Sequence, residues 1–559
     1  MSAIGTMAAR SGRYVRALLP SWQDYRDVKR TWRGDIVAGL TVGIIALPLA
    51  LAFGVSSGAG AESGLITAIV AGVIAAVFGG SNIQVSGPTG AMVVVLGPVV
   101  AAHGVGVVAV LSLMAGLIVI AAGALKLGRA VTFIPWPVIE GFTLGIAVII
   151  FLQQIPSAIG QSVPEGRRPL AAAAQVVTEA DATTIRPALV VVAVVVLSMV
   201  VLPRLHRAIP SSLVAVVVAT VLVSVTGMMT ARIGVLPSQL PAPVWPQADF
   251  ATVQSLLGAA LAIAALAAIE SLLSARVAAT MSEAGSYDPD RELVGQGLAS
   301  VASGLFGGMP ATGAIARTAV NVRSGARTRV AAITHSILLL GVVYLVSGPV
   351  AAIPLAALAA VLMVTAARMI SWRVIVRIIR SSRSAAAAFS ITAVVTVCFD
   401  LIQAVEIGML VTAVFALAAV ARRSGVRRED LPSPHQPGDE HIVLLRLDGA
   451  MFFGAAERIS AEILDASHPE ARVVIIALSQ LGMLDATGAH TLARIAEELE
   501  SRGITVIIKG VRPEHRDLLA NIGIIASLRH ENHLIETLEE AVAHARRHAT
   551  TAGERAAGE

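Results

Sequence analysis

The stretch "SGPTGAMVVVLGPVV" (residues 86–100) is apolar but too short to cross a bilayer, because a spanning helix needs roughly 20 apolar residues. It opens with Gly87, Pro88 and Gly90, and glycine and proline disfavour the interior of a helix. A second stretch, "GGMPATGAIARTAVNV" (307–322), has the same construction. Pro88 and Pro310 suit the first position of a helix, where a missing N–H costs little. The sequence therefore predicts two half-helices.

The composition places these stretches in a membrane. The chain has 559 residues, of which 55% are hydrophobic and 14% charged, and its mean hydropathy is +0.77. Such values exclude an ordinary soluble protein. The single cysteine, Cys398, excludes an intrachain disulfide. No basic patch interleaved with aromatic residues suggests nucleic acid as a partner.

Long apolar segments recur from Asp35 to about Val420, and we predict twelve full spans and two short ones. The predicted segments lie near 36–54, 61–79, 84–100, 106–124, 133–154, 187–203, 210–228, 255–275, 291–307, 311–323, 328–346, 349–369, 384–399 and 401–421. Fourteen crossings leave both termini on one side of a multi-pass inner-membrane protein. The basic residues mark that side as the cytoplasm, since they cluster at Arg10–Arg33, Lys126, Arg129, Arg204, Arg207, Arg323–Arg329, Arg368–Arg383 and Arg422–Arg428.

The chain is predicted to have five parts. Residues 1–34 carry seven basic side chains and no apolar run, which indicates a cytoplasmic arm rather than a signal peptide. A transmembrane domain (35–421) and a charged, proline-containing linker (422–440) follow. Residues 441–547 alternate aliphatic strands such as "VVIIAL" with amphipathic helices, one of them ending at Gly503, and predict a small cytoplasmic α/β domain. Residues 548–559 are expected to be a disordered tail.

The two short segments are the third and the tenth, so the membrane domain divides into two seven-span halves of opposite orientation. Each half-helix would then begin near the midplane, and the two N-termini would face each other. Paired, interrupted segments of this kind point to the binding site of a secondary transporter. A helix N-terminus offers free N–H groups and about half a positive charge, which favours an anion. The alternative is that the glycines only allow close helix packing.

Two ionisable residues lie at membrane depth. Glu270, in "ALAAIESLLSARVAAT", is a functional candidate because a buried carboxylate is costly, and it is expected to take up a proton near neutral pH. Ser271 and Ser274 are candidate neighbours at the site. The alternative role for Glu270 is an interhelical hydrogen bond without titration.

Arg317 lies about one and a half turns into the tenth segment, on the cytoplasmic side of the proposed site. The alternative to a role at the site is that its side chain snorkels to the inner membrane interface. The two helix ends add about +1 and Arg317 adds +1 to the site. A protonated Glu270 would leave the site near +2, which suggests symport of protons and an anion. Pro48 in "ALPLALAFG" is expected to interrupt the first segment. Glu140 and Asp400 fall near predicted ends, and Glu406 is assigned no role.

Four motifs together resemble the SulP family of anion permeases: "ALPLALAFGVSSGAGAESGL", "VSGPTGA", "LVGQGLASVASGLFGGMPATGAIARTAVNVRSGARTRVA" and "MLDATGAHTL". This resemblance implies an all-α polytopic membrane domain of fourteen spans in a 7+7 inverted repeat. It also implies a core domain (spans 1–4 and 8–11), a gate domain (spans 5–7 and 12–14), an elevator movement and a homodimer. The cytoplasmic α/β part would be a STAS domain.

The resemblance places the anion between spans one, three, eight and ten. The matching lining residues are Pro48, Thr89, Gly90, Ala91, Thr312, Gly313, Ala314 and Arg317. Ala316 replaces the serine of the family's common "SRT" pattern. In sodium-dependent bicarbonate transporters, an aspartate and a threonine of the sodium site align with Glu270 and Ser274. The second threonine there aligns with Ile315, and a glycine aligns with Arg317, so protons are the preferred coupling ion here.

Several functions stay open at this stage. A secondary active anion transporter is preferred over a membrane-tethered STAS signalling protein with a cytoplasmic partner, an uncoupled anion channel and a sodium-coupled bicarbonate transporter. The anion itself, sulfate, bicarbonate, chloride or a C4-dicarboxylate, is not determined, nor is symport against exchange. An enzyme is not expected, nor is a cofactor or a metal site. In the "DATG" loop Ala486 stands where relatives carry a phosphorylatable serine, and Thr487 follows it.

Overall fold

The computed structural model describes residue 16 and residues 18–129, 135–161, 169–179, 182–206, 209–234, 236, 239–282, 287–398, 401–467, 470–524, 528 and 533–556. Asp400 lies outside these residues, and the side chain of Glu406 is not described. The chain forms two compact units, residues 1–409 and 410–559.

The first unit is built from helices, and the last of them runs across the boundary at residue 409. They are α1 (Val28–Ser56), α2 (Ala61–Phe78), α3 (Gly90–His103), α4 (Val107–Ala124), α5 (Trp136–Ala158), α6 (Pro169–Glu179), α7 (Ala182–Leu205), α8 (Ser211–Thr226), α9 (Phe250–Met281), α10 (Pro289–Leu305), α11 (Ile315–Arg323), α12 (Val330–Ala351), α13 (Leu355–Met369), α14 (Trp372–Ser381), α15 (Arg383–Cys398) and α16 (Leu401–Arg423).

Each of the fourteen predicted segments overlaps one or more of these helices. Among the described residues, eight helical stretches are long and apolar enough to cross a membrane, and three apolar helices are shorter. The membrane character is therefore confirmed, whereas the number of crossings stays a prediction. Helices α6 and α14 were not predicted. Helix α14 was not predicted because Arg373, Arg377 and Arg380 interrupt its apolar residues at helical spacing, so it contains no long apolar run.

The helices of the first unit pack in two groups. Helices α1–α4 and α9–α12 contact one another, and so do α5–α8 and α13–α15. The groups meet where α1 packs on α8 and α13 and where α3 packs on α5. This division follows the expected core and gate domains.

Small residues set the spacing of the core helices. A Cβ atom built on Gly64 in α2 would lie 2.1 Å from the carbonyl oxygen of Ala50 in α1. A Cβ atom on Gly116 in α4 would lie 2.7 Å from the carbonyl oxygen of Gly297 in α10. These helices approach so closely that only glycine fits at the crossings, as is common where helices pack in a bilayer.

Two features of the first unit differ from the sequence expectations. The chain before the half-helices is extended and forms two short strands, β1 (Ser86–Gly87) and β2 (Thr312–Gly313), so the half-helices begin later than predicted. Pro48 does not interrupt the first helix, because α1 continues on both sides of it. Proline removes one backbone hydrogen bond, and the other bonds of α1 with its buried packing maintain the helix.

An acidic residue of the N-terminal arm contacts arginines at the starts of two helices in the first unit. Asp24, in a 3-10 turn (Trp22–Tyr25), accepts hydrogen bonds from both terminal nitrogens of Arg291 at 3.1 and 2.7 Å. Arg329 lies 3.8 Å from the same carboxylate. Arg291 is near the start of α10 and Arg329 immediately precedes α12. The arm is therefore held to the core helices by a buried ionic contact.

The second unit contains a six-stranded sheet. Its strands are β3 (Gly425–Glu429), β4 (Ile442–Met451), β5 (Val473–Ala477), β6 (Leu481–Leu484), β7 (Thr505–Lys509) and β8 (Leu534–Ile535), in the order β3-β4-β5-β7-β8, with β6 also paired to β4. Strand β3 is antiparallel to β4, and the other pairs are parallel. The helices are α17 (Ala456–Ala466), α18 (Ala486–Ser501), α19 (Pro513–Ile522) and α20 (Leu538–Ala556).

Side chains of β4, β5 and β7 are buried on both faces of this sheet, because α17–α19 cover one face and α20 the other. The strand quoted from the sequence, "VVIIAL", is confirmed as β5. Gly503, at φ +82°, follows α18 as predicted. Residues 425–429, expected in the linker, instead form β3, an edge strand whose charged side chains hid the pattern. The final helix runs to Ala556, past the expected boundary at residue 547.

Candidate functional site

The two half-helices begin side by side because the chain segments before them pair. Strands β1 and β2 are antiparallel, with Ser86 opposite Gly313 and Gly87 opposite Thr312. The N–H of Ala314 extends this pairing by donating to the carbonyl of Val85 at 2.9 Å. Helices α3 and α11 follow these strands directly. Antiparallel strands lead their helices away in opposite directions, so the two helix N-termini are close to each other.

Neither N-terminus is capped by a side chain. Thr89 is the N-cap residue of α3, yet its hydroxyl makes no capping bond and donates to Oε2 of Glu270 at 2.9 Å. The N-cap of α11 is Ala314, which has no side-chain acceptor. The first N–H groups of a helix have no intrahelical partner. Two helix dipoles therefore direct positive ends at this place.

Arg317 is buried beside the start of α3. It is the third residue of α11, its exposed fraction is 3%, and its Nη2 donates to the carbonyl of Pro88 at 2.5 Å. The expected position one and a half turns into the helix was wrong, because α11 begins only after β2. Snorkelling is also ruled out, since the guanidinium turns toward the start of α3.

Gly87 makes room for this guanidinium. Its φ is +154°, and a Cβ atom there would lie 2.8 Å from Nη1 of Arg317. Among the residues that the structure describes, Nη1 has no hydrogen-bond acceptor. A buried cation with an unused donor at two helix N-termini suits an anionic ligand.

Helix α9 supplies the carboxylate and two serines. Glu270 is partly accessible to solvent, whereas Ser271 and Ser274 are fully buried. The Ser271 hydroxyl lies 3.0 Å from the Thr312 hydroxyl and accepts the N–H of Gly313 at 3.0 Å. Ser274 donates to Thr318 at 3.1 Å. The serines therefore hold β2 and α11 against α9, and Glu270 is the residue of this group that reaches the accessible space.

The remaining predicted lining residues are also buried. Pro48 in α1, Gly90 and Ala91 in α3, and Gly313 and Ala314 before α11 all have little exposed surface. A Cβ atom on Gly90 would lie 2.2 Å from Cδ1 of Ile150, and one on Gly313 would lie 1.6 Å from Nε2 of Gln84. Both glycines therefore let neighbouring side chains approach the backbone.

The structure brings further polar residues to this region that the sequence analysis missed. Gln84 donates to the carbonyl of Ser271 at 3.3 Å, and Asn321 donates to the carbonyl of Ile83 at 2.8 Å. Gln296 donates to Ser86 at 2.5 Å and to Glu292 at 3.0 Å. The signal was present, since Glu292 and Gln296 are one helical turn apart in an apolar neighbourhood.

Another missed residue is His335 in α12. It is fully buried, and neither of its ring nitrogens has a hydrogen-bond partner among the described residues. The next residue of α12, Ser336, donates to the carbonyl of Ala68 in α2 at 3.2 Å, so His335 lies among the core helices. A lone histidine in an apolar helix gives little signal in a sequence.

With this geometry established, comparison with known proteins identifies the family. The sulfate permease family profile matches residues 32–392, and the STAS domain profile matches residues 433–541. The chain belongs to the sulfate permease family. It is a transmembrane anion transporter of that family with a C-terminal STAS domain, as the sequence motifs indicated.

Individual relatives agree with this assignment. YvdB of Bacillus subtilis, provisionally named a sulfate transporter, is 32% identical over 501 residues, covering 88% of this chain and 93% of the relative. The bicarbonate transporter BicA of Synechocystis is 33% identical over 522 residues, covering 89% and 91%. The structure of the murine anion transporter Solute Carrier 26 family member A9 superposes with a TM-score of 0.83 and 16% identity, covering 96% and 95%. That last likeness establishes the fold.

Proposed function

We propose that this sulfate permease family member is a secondary active transporter that moves a small anion together with a proton. The observation that supports this is the meeting of three groups where α3 and α11 begin. Thr89, the N-cap of α3, binds Glu270, and Arg317 binds the carbonyl just before Thr89. One site therefore contains two helix N-termini, a guanidinium and a carboxylate.

The charges of these groups couple the anion to the proton. With Glu270 ionised, its charge offsets that of Arg317, and the helix ends alone attract the anion. With Glu270 protonated, the site is more positive by one charge and binds an anion more strongly. Linkage is reciprocal, so a bound anion also favours the protonated carboxyl. Anion and proton then cross together.

Residues around Glu270 support protons over sodium as the coupling ion. Sodium requires several oxygen ligands, as hard cations do. Ile315 brings an apolar side chain, 37% exposed, to the start of α11. Arg317 adds a positive charge that opposes cation binding close to Glu270.

Relatives suggest the substrate class and the transport movement. BicA is named as a bicarbonate transporter, and YvdB is provisionally named as a sulfate transporter. We propose sulfate, bicarbonate or a C4-dicarboxylate as the anion here. We further propose that the core helices move against the gate helices as an elevator, in a homodimer in the inner membrane with both termini in the cytoplasm.

Uptake by proteoliposomes tests the proposed function. Labelled sulfate, bicarbonate, fumarate and succinate would be offered under an inward proton gradient or an inward sodium gradient. Glu270→Gln is compared with Glu140→Gln, a control in α5 whose carboxylate accepts a hydrogen bond from Trp136 at 3.0 Å. We expect proton-driven accumulation of one anion, which Glu270→Gln abolishes and Glu140→Gln retains.

Other outcomes separate the alternatives. Sodium-driven uptake would show that sodium, and not the proton, is the coupling ion. Anion flux that follows only its own gradient and survives Glu270→Gln would indicate an uncoupled channel. An absence of flux for every anion, with the protein folded, would favour a sensor role for the membrane domain.

A further inference from the structure

Three histidines converge in the second unit, far along the chain from the anion site. His544 and His548 are four residues apart on α20, so they lie one turn apart on the same face of the helix. His533 immediately precedes β8 and is fully buried. The ring centroids are 5.3 Å apart for His533 and His544, 5.1 Å for His533 and His548, and 4.8 Å for His544 and His548.

The ligand atoms of these rings are close enough to share one ion. One ring nitrogen from each histidine lies within 4.8 Å of the others. The Nε2 atoms of His544 and His548 are 3.2 Å apart. Zn²⁺ binds imidazole nitrogen at about 2.0–2.1 Å in a tetrahedron, which separates two ligand nitrogens by about 3.3 Å. The helical pair therefore already has the separation that a tetrahedral metal needs.

A neighbouring arginine determines how His544 and His548 are hydrogen-bonded without a metal. Nη2 of Arg547 lies 3.0 Å from Nδ1 of His544. Since arginine only donates, His544 accepts at Nδ1, carries its proton on Nε2 and donates it to Nε2 of His548. A metal on Nε2 of His544 would move that proton to Nδ1 and displace the guanidinium. Arg547 is exposed, so it can turn away into solvent.

We propose that His533, His544 and His548 form a binding site for a divalent transition metal, with Zn²⁺ as the representative ion. Imidazole nitrogen suits zinc, copper and nickel and does not suit magnesium or calcium. Three protein ligands leave a fourth position for water or for a donor from another molecule. The metal would tie α20 to β8, the last strand of the sheet. The sequence analysis predicted no metal site, because His533 lies outside the helix that carries the other two histidines.

Zinc titration of the full-length protein in detergent micelles tests this site. The protein would be purified without a polyhistidine tag, stripped with a chelator and titrated with ZnCl₂ in a calorimeter. We expect one Zn²⁺ per chain and no heat with MgCl₂. His544→Ala and His548→Ala should each weaken binding by about 100-fold or more, since even second-sphere changes cost 10–100-fold. His490→Ala, an exposed histidine on α18, is the matched control and should bind like wild type.

Two further measurements keep the proposal open to refutation. Co²⁺ substituted for Zn²⁺ should give the visible absorption of a tetrahedral site, and His533→Ala should change that spectrum even if the variant is less stable. Arg547→Ala should bind Zn²⁺ several-fold more tightly, because the competing donor is gone. Equal binding by wild type and the His544 and His548 variants, or weaker binding by Arg547→Ala, would overturn the assignment.

Discussion

At the scale of single residues, two side chains of the anion site do not make the interactions that are usual for their positions in a helix. Thr89 occupies an N-cap position, where a threonine commonly caps its own helix, but it bonds to Glu270. Arg317 lies in the first turn of a helix, where a cation opposes the dipole. Both arrangements cost local stability, and an anion that binds there would offset the cost. Local rules that fail at one place often mark a functional site.

Replacement of Arg317 by glutamine should weaken anion binding. A hydrogen bond to a charged group contributes about 1.5–3 kcal/mol, which corresponds to roughly 10–100-fold in affinity. We expect the KM for the transported anion to rise by that factor. Arg323→Gln, an exposed arginine at the end of the same helix, controls for net charge and should leave the KM unchanged. An equal rise in both variants would mean that only long-range charge matters.

Replacement of Thr89 by valine tests the hydrogen bond to Glu270. Valine keeps the shape of threonine but cannot donate, so we expect the proton-driven uptake rate to fall by about tenfold. Thr89→Ser keeps the hydroxyl and should retain most of the rate. If valine and serine variants transport equally well, the hydroxyl has no part in coupling.

At the scale of elements, backbone approach determines where the helices lie. Gly64 places α2 against α1, and Gly116 with Gly297 places α4 against α10. The strand pair β1–β2 then fixes where α3 and α11 begin. Close backbone contacts therefore position the helices that carry the site, and the hydroxyls of Ser271 and Ser274 add side-chain contacts to them.

An alanine at Gly64 should destabilise the membrane domain. Its Cβ would lie 2.1 Å from the Ala50 carbonyl oxygen and 2.9 Å from Cα of Gly54, so α1 and α2 must separate. Overpacking of this kind costs about 1–3 kcal/mol. We expect a Tm lower by several degrees in detergent micelles. Gly258→Ala in α9, where no atom lies within 4 Å of the added Cβ, should keep or raise the Tm.

The N-terminal arm should detach in acid. Burial alone would raise the pKa of Asp24, but hydrogen bonds from Arg291 and from the Ser21 N–H hold it below the ordinary value. A lowered pKa means that the contact stabilises the fold fully above about pH 4 and loses this effect as the pH falls through the pKa of Asp24. The backbone amides of residues 22–25 should therefore be protected from hydrogen exchange at pH 7, relative to an unfolded chain at the same pH, and should lose this protection below pH 4.

Asp24→Asn should give fast exchange of the same residues at pH 7, because it leaves two arginines without their carboxylate. Asp27→Asn is the matched control, since Asp27 forms an exposed ion pair with Arg26. Slow exchange in Asp24→Asn at neutral pH would show that the arm is held by other contacts.

At the scale of the whole molecule, the proposed elevator requires the core helices to slide along the gate helices. The two groups touch through α1 and α3 on the core side and through α5, α8 and α13 on the gate side. Among the described residues, the hydroxyl of Ser56 donates across this boundary to Oε1 of Gln154 at 3.1 Å. A rigid link at that contact should stop the movement.

Paired cysteines test the elevator in a Cys398→Ser background. Ser56→Cys with Gln154→Cys, joined by a short thiol cross-linker, should lose anion uptake, and reduction of a cleavable linker should restore it. Thr67→Cys with Ser303→Cys links two core helices whose hydroxyls lie 3.2 Å apart, so cross-linking there should leave uptake intact. Full uptake by the cross-linked Ser56–Gln154 pair would contradict sliding at this boundary.

The sequence by itself determined the membrane class, the helical segments, the two half-helices and the α/β domain. These properties follow from hydrophobic runs and from glycine and proline, whose effects act within a few residues. Only the tertiary structure decided that Thr89 bonds to a carboxylate 181 residues away and that Arg317 bonds to a carbonyl 229 residues away. It also decided that β1 pairs with β2 and that His533 meets α20. Contacts between distant residues depend on how whole helices and strands pack, and no local pattern specifies that packing.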